Sequence, residues 1–99
     1  MNLNMNTDEK GVLTISVEGS IDTLTAPDFE AKVLKALEGV SKLILDFTKV
    51  DYVSSAGLRT ILLLNEKLDE QGGMTIKNIN EEVRDVFEMT GFDELLTIE

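Results

Sequence analysis

The stretch Asp46-Phe47-Thr48-Lys49-Val50-Asp51-Tyr52-Val53-Ser54-Ser55-Ala56-Gly57-Leu58-Arg59-Thr60-Ile61-Leu62-Leu63-Leu64 passes from the end of an apolar strand into the start of a helix, with two serines at the junction. The first N–H groups of a helix have no partners within it, and the helix dipole places partial positive charge at the same end. A serine hydroxyl there is exposed, and a phosphate on it is accommodated. The junction therefore reads first as a phosphorylation switch. From spacing alone a plain N-cap outweighs that reading, because serine is a favoured cap whose oxygen accepts an N–H from the second or third helical residue.

Upstream of this stretch, Leu43-Ile44-Leu45 and Phe47 form a nearly continuous apolar run, the type expected of a central strand with both faces or its centre buried. Downstream, a helix starting near Ala56 ends before Gly72-Gly73. It carries Leu58, Ile61, Leu62, Asn65 and Leu68 on one side and Arg59, Glu66 and Asp69 opposite, while Leu63 and Leu64 widen its apolar surface.

Working outward toward the N-terminus, Leu3 and Met5 alternate with Asn, and Val12, Leu13, Ile15 and Val17 follow the turn-like Glu9-Lys10-Gly11, which predicts a terminal hairpin. Gly19-Ser20-Ile21-Asp22 leads to a helix in which Thr25 is the cap, Pro27 sits in the first turn and Asp28 occupies the capping-box position. That helix runs to Glu38 or Gly39, with Phe29, Val33, Leu34 and Leu37 as its buried stripe and Lys32, Lys35 and Glu38 outward. Toward the C-terminus, Met74 and Ile76, with Ile79 after them, give a fourth strand. Asn80 caps a third helix through Thr90, Gly91 stops it, and Leu95, Leu96 and Ile98 form a short last strand. Strands separated by helices of these lengths predict an α/β fold: a mixed sheet of four to five strands, with an N-terminal hairpin, parallel core strands and three or more helices.

Length and charge bound what such a domain does. The 99 residues make one domain spanning 1–99, with nineteen acidic and nine basic residues, no histidine and a net charge of −10. Nucleic acid and anionic lipid are poor partners for that surface. Cysteine is absent, which excludes a disulfide framework and a thiolate nucleophile. The N-terminal residues lack the order of a secretory signal and no apolar run reaches the length of a membrane span, so a cytoplasmic protein without membrane insertion is expected. A serine hydrolase needs a base for its hydroxyl proton. With neither histidine nor cysteine, no Gly-x-Ser-x-Gly elbow and no Walker loop, an enzyme is not expected.

The junction resembles the signature of the STAS domain, the fold of bacterial anti-sigma factor antagonists: a strand ending in Asp, a short loop, then Asp-Ser-Ser/Thr-Gly-Leu opening a helix. Asp46, Ser55, Gly57 and Leu58 fall on that pattern; Ser54 stands where Asp is usual and Ala56 replaces the second hydroxyl residue. Gly19-Ser20-Ile21-Asp22 with Thr25-Ala26-Pro27, and Val83-Arg84-Asp85-Val86-Phe87 with Thr90-Gly91-Phe92, look like the family's other landmarks, so nearly the whole chain is covered. The resemblance implies an anti-sigma factor antagonist (anti-anti-sigma factor) that binds an anti-sigma factor/serine kinase when unphosphorylated and is released by serine phosphorylation, a serine phosphatase resetting it. Ser55 is then the expected phosphoacceptor, with Ser54 the second choice. Asp22, Thr23, Ser54, Ser55, Ala56, Gly57, Leu58 and Arg59 are the expected partner-binding residues. No cofactor or metal is expected, since ATP and magnesium belong to the kinase. The alternative is a non-phosphorylated STAS binding subunit of a transporter or other signalling complex.

Overall fold

A computed structural model describes residues 1–99. The chain runs β1 (Asn2–Thr7), β2 (Val12–Ile21), α1 (Ala26–Ala36), β3 (Lys42–Val53), α2 (Ser55–Asp69), β4 (Met74–Lys77), α3 (Glu81–Thr90), a 3₁₀ turn (Phe92–Glu94) and β5 (Thr97–Ile98). The five strands lie in chain order in one sheet, β1 antiparallel to β2 and every later neighbour parallel. Parallel connections are right-handed, and steps that always advance the same way place all three helices on one face.

The strand pattern follows from that arrangement. Leu13, Ile15 and Val17 of β2, Leu43, Leu45 and Phe47 of β3, and Met74 and Ile76 of β4 are buried, whereas Thr14, Ser16, Ile44 and Asp46 between them are partly exposed. β3 is central, as expected, but only one of its faces lies under helices. Thr75 is the exception on the open face, buried between its register partners Ile44 and Thr97. The core holds 23 buried apolar residues, with Phe29, Phe47 and Phe87 its largest side chains.

Several sequence expectations are corrected. β3 continues six residues beyond Phe47, to Val53, because its second half pairs with Glu18–Ile21 of β2 across two register shifts. α1 ends at Ala36, and Leu34 is exposed, since the helix turns Phe29, Val33 and Leu37 toward the sheet. On α2 the buried face is Leu58, Ile61, Leu64 and Leu68; Leu64 belongs to the core, Leu62 and Asn65 are half-buried and Leu63 is exposed. β4 stops at Lys77, leaving Ile79 in the loop where Asn78 adopts a left-handed φ of 63°. Leu95 and Leu96 precede β5 and do not form it. α3 has the expected bounds: Asn80 Oδ1 accepts from Val83 N at 2.8 Å and Gly91 closes the helix at φ 77°.

Candidate functional site

The site forms where the C-terminal ends of β2 and β3 meet the N-termini of α1 and α2. Ser54 is the N-cap of α2. Its φ and ψ of −83° and 175° are extended, and its Oγ accepts from Gly57 N at 3.2 Å. Its own N–H donates to the Ile21 carbonyl at 2.9 Å, which ties the junction to the end of β2. Ser55 is the first helical residue; it is exposed, and its hydroxyl enters no hydrogen bond. Of the two readings the sequence leaves open, the geometry gives the cap to Ser54 and a free hydroxyl to Ser55, beside N–H groups that carry the positive end of the helix dipole.

Gly57 is buried because nothing larger fits. A Cβ there would overlap the Ile21 carbonyl oxygen and lie 2.9 Å from Ile21 Cγ2, so the missing side chain is what lets α2 start against β2. Leu58 is buried at 2% exposure and anchors the first turn in the core. Ala56 is half-buried, and Arg59 points outward without an ion pair.

Asp22 lies on the turn that follows Ile21, and its carboxylate orders that turn ahead of α1. Asp22 Oδ1 accepts from Leu24 N at 3.0 Å and Thr25 N at 3.1 Å, and Ala26 N donates to the Asp22 carbonyl at 2.8 Å. Thr25, at the formal cap position, makes no cap bond: its Oγ1 donates to the Ser20 carbonyl at 2.7 Å and accepts from Asp22 N at 2.9 Å. Asp28 does not close a capping box; its carboxylate pairs with Lys32 at 3.1 Å one turn on. The hydrogen bond from Thr25 N, with that from Leu24 N, holds the Asp22 carboxyl below its ordinary value against the opposing effect of desolvation. Thr23 and Leu24 project from this turn, and Leu24 is 89% exposed.

The structure thus brings Asp22, Thr23 and Ser54 through Arg59 to one end of the sheet. Asp46 is not among them. Its Oδ1 accepts from Thr48 Oγ1 at 2.6 Å, Thr48 N at 3.0 Å and Asn78 Nδ2 at 3.1 Å, so it pins the β3 and β4 ends on the open face. The Thr48 and Asn78 side-chain bonds lower its carboxyl from the usual range. Sequence reasoning missed the Ile21 carbonyl, which receives Ser54 N and crowds Gly57, and the display of Leu24. The first has no signal in residue identity; the second has one, a large apolar residue in an otherwise polar turn.

With this geometry in place, comparison with known proteins is specific. Residues 4–99 match the STAS domain family. The Bordetella bronchiseptica protein BtrV, described as an anti-sigma factor antagonist, is 34% identical over 84 residues, covering 83% of this chain and 72% of the relative. The crystal structure of an anti-sigma factor antagonist from Mycobacterium paratuberculosis superposes with a TM-score of 0.86 at 26% identity, over 98% of this chain and 83% of that one. The unphosphorylated form of the anti-sigma factor antagonist SpoIIAA matches in fold with a TM-score of 0.81 at 20% identity, over 99% of this chain and 88% of that one. The phosphorylated form of SpoIIAA, a Bacillus cell fate determinant, gives 0.73 at 19% identity, over 99% and 91%.

Proposed function

The chain belongs to the STAS domain family, among its anti-sigma factor antagonists, and on that premise we propose that it is a binding protein controlled by phosphorylation of Ser55. In its unmodified form it binds an anti-sigma factor that is also a serine kinase, so that a sigma factor is freed for transcription. Phosphate on Ser55 ends the complex, and a phosphatase restores it. The observation that carries this reading is the division of labour at the junction: Ser54 satisfies the helix end, while the Ser55 hydroxyl stays exposed and unbonded one residue later.

The contact surface in this reading comprises Asp22, Thr23, Ser54, Ser55, Ala56, Gly57, Leu58 and Arg59. Those that are buried, Gly57 and Leu58, act by holding the junction in shape. A phosphoserine adds about −1.5 to −2 charge and three acceptor oxygens at neutral pH. In a close-fitting interface that charge must be desolvated against the partner, and a loss of about 3 kcal/mol already lowers affinity more than a hundredfold. Within the domain itself the helix start offsets part of the new charge, so the change is felt at the interface. The chain is the substrate of the kinase and supplies no catalytic group, and ATP and magnesium come with the partner. No helix is long and apolar enough to cross a membrane, and the proposed place of action is the cytoplasm.

The test is site-mapped mass spectrometry of the protein recovered from its native cells, with Ser54→Ala and Ser55→Ala variants beside it. Phosphate that disappears only in Ser55→Ala is the expected result. A chain unmodified under every growth condition would overturn the switch and leave the same surface as a constitutive docking face, such as that of a STAS subunit in a transport complex.

A further inference from the structure

The two edges of the sheet are guarded unequally. β5 is two residues long, and next to it Glu99 donates its N–H to the Ile76 carbonyl at 2.8 Å and pairs its carboxylate with Lys77 at 3.6 Å. Short length and charge are the usual protections of an edge strand against pairing with another chain. β1 has neither. It is six residues long and pairs with β2 at every position from Asn2↔Glu18 to Thr7↔Leu13 without a bulge. In a chain of net charge −10, Met1-Asn2-Leu3-Asn4-Met5-Asn6-Thr7 contains no charged side chain, no proline and no glycine.

The same segment is self-complementary. Antiparallel pairing about Asn4 sets Leu3 opposite Met5, Asn2 opposite Asn6 and Met1 opposite Thr7. It thereby engages all seven uncharged residues and keeps odd positions on the helix-covered side and even positions on the open face. Moving the centre to Met5 brings the charged Asp8 opposite Asn2. We propose that the β1 edge is a self-association surface, on which a second copy of this chain pairs antiparallel about a two-fold axis at Asn4 to give a continuous sheet of two domains.

That axis reverses β2 and β3 in the second copy, so the two Ser55 junctions face opposite ways and neither is covered. The dimer is bivalent for whatever binds them. A strand pair of this length buries far less than the about 1,200–2,000 Å² of stable interfaces, so association is weak and rises with concentration. Two chains of like charge repel, so it also rises with salt.

Sedimentation equilibrium of the intact chain across a concentration series, to about 1 mM at the weak end of specific affinities, reads the mass directly against the 11.0 kDa protomer. The expected result is a mass rising toward twice that value, with Asn4→Lys lowering the association constant by about two- to fivefold by facing like charges across the axis. Asn4 is exposed, and an unchanged circular dichroism spectrum and melting temperature establish that the variant is folded. The chain has no cysteine, so an introduced thiol is its only one. Asn4→Cys should cross-link under oxidation, because directly opposed residues lie about 4.5–5.5 Å apart at Cα, within disulfide reach. Asn6→Cys should not, its copies lying about 13 Å apart along the strands. A monomer at the highest concentration, a dimer that Asn4→Lys leaves intact, or cross-linking of Asn6→Cys as readily as Asn4→Cys would each overturn the proposal.

Discussion

At the start of α2 two neighbouring serines differ in what they hold: Ser54 Oγ accepts the Gly57 N–H at 3.2 Å, and the Ser55 hydroxyl holds nothing. The same substitution therefore has unequal costs one residue apart. Ser54→Ala leaves an N–H without its cap and should lower unfolding free energy by about 1 kcal/mol, whereas Ser55→Ala should stay within about 0.5 kcal/mol of the parent. Urea midpoints of the two variants decide it, and equal losses would contradict the assignment of the cap. The carboxylates make a second test. The Asp22 and Asp46 carboxyls are both held below the ordinary aspartate value in the folded chain, chiefly by Thr25 N–H and by the Thr48 side chain respectively. A carboxyl with a lowered folded value stabilises the fold above its unfolded value of about 3.9 and loses that contribution as pH falls through the folded value. Melting temperature should consequently decline below about pH 4. Asp22→Asn, which keeps an acceptor oxygen but does not titrate, should flatten that decline. A variant that declines as steeply as the parent would show that the Asp22 bonds do not contribute.

Between elements, the contact that sets the site is α2 against the end of β2, and Gly57 decides how close it comes. Gly57→Ala forces its Cβ onto the Ile21 carbonyl, a backbone atom that yields only if the helix start moves. A destabilisation of about 1–3 kcal/mol is expected, together with a changed amide environment at Ser54, whose N–H shares that carbonyl. An NMR spectrum with Ser54 and Ile21 unmoved would refute the account. This contact was illegible in the sequence, because Gly57 shows there as a residue free to pack closely but not as packed on Ile21. α3 was legible to the residue, since Asn80 and Gly91 act through bonds to their own helix. The start of α1 misled because Thr25-Ala26-Pro27-Asp28 has the composition of a capped helix, while the Thr25 hydroxyl is taken up by Asp22 N and the Ser20 carbonyl and the helix starts without a side-chain cap. Ile61-Leu62-Leu63-Leu64 is apolar all round, so only packing selects Ile61 and Leu64 for the core. The second half of β3 was hidden by the exposed pair Thr48-Lys49, and its pairing with β2 is a long-range choice. The serine junction, by contrast, lies within one contiguous segment, so residue order alone places Ser54 through Arg59 together.

For the molecule as a whole, a charge added at Ser55 is felt by two opposing fields. The chain already carries −10, so one more negative charge adds to its general self-repulsion. The α2 N-terminus stabilises an anion by about 0.3–1 kcal/mol, and it acts over a few ångströms, whereas the other carboxylates are spread over a body of 35 × 26 × 20 Å. The short-range term wins where the Debye length is about 8–10 Å, so Ser55→Asp should melt at or slightly above the parent temperature. Ser55→Lys should melt below it. Raising the salt to 1 M shortens the Debye length to about 3 Å and should narrow the difference between the two variants. If phosphate acted by loosening the fold, Ser55→Asp would melt well below the parent and lose partner affinity in step with stability. If it acts at the contact surface, the aspartate variant keeps its melting temperature and its amide spectrum beyond the first turn of α2, and loses affinity alone. Calorimetry of Ser55→Asp and Ser55→Lys at low and high salt separates the two, and the helix-start geometry predicts the second outcome.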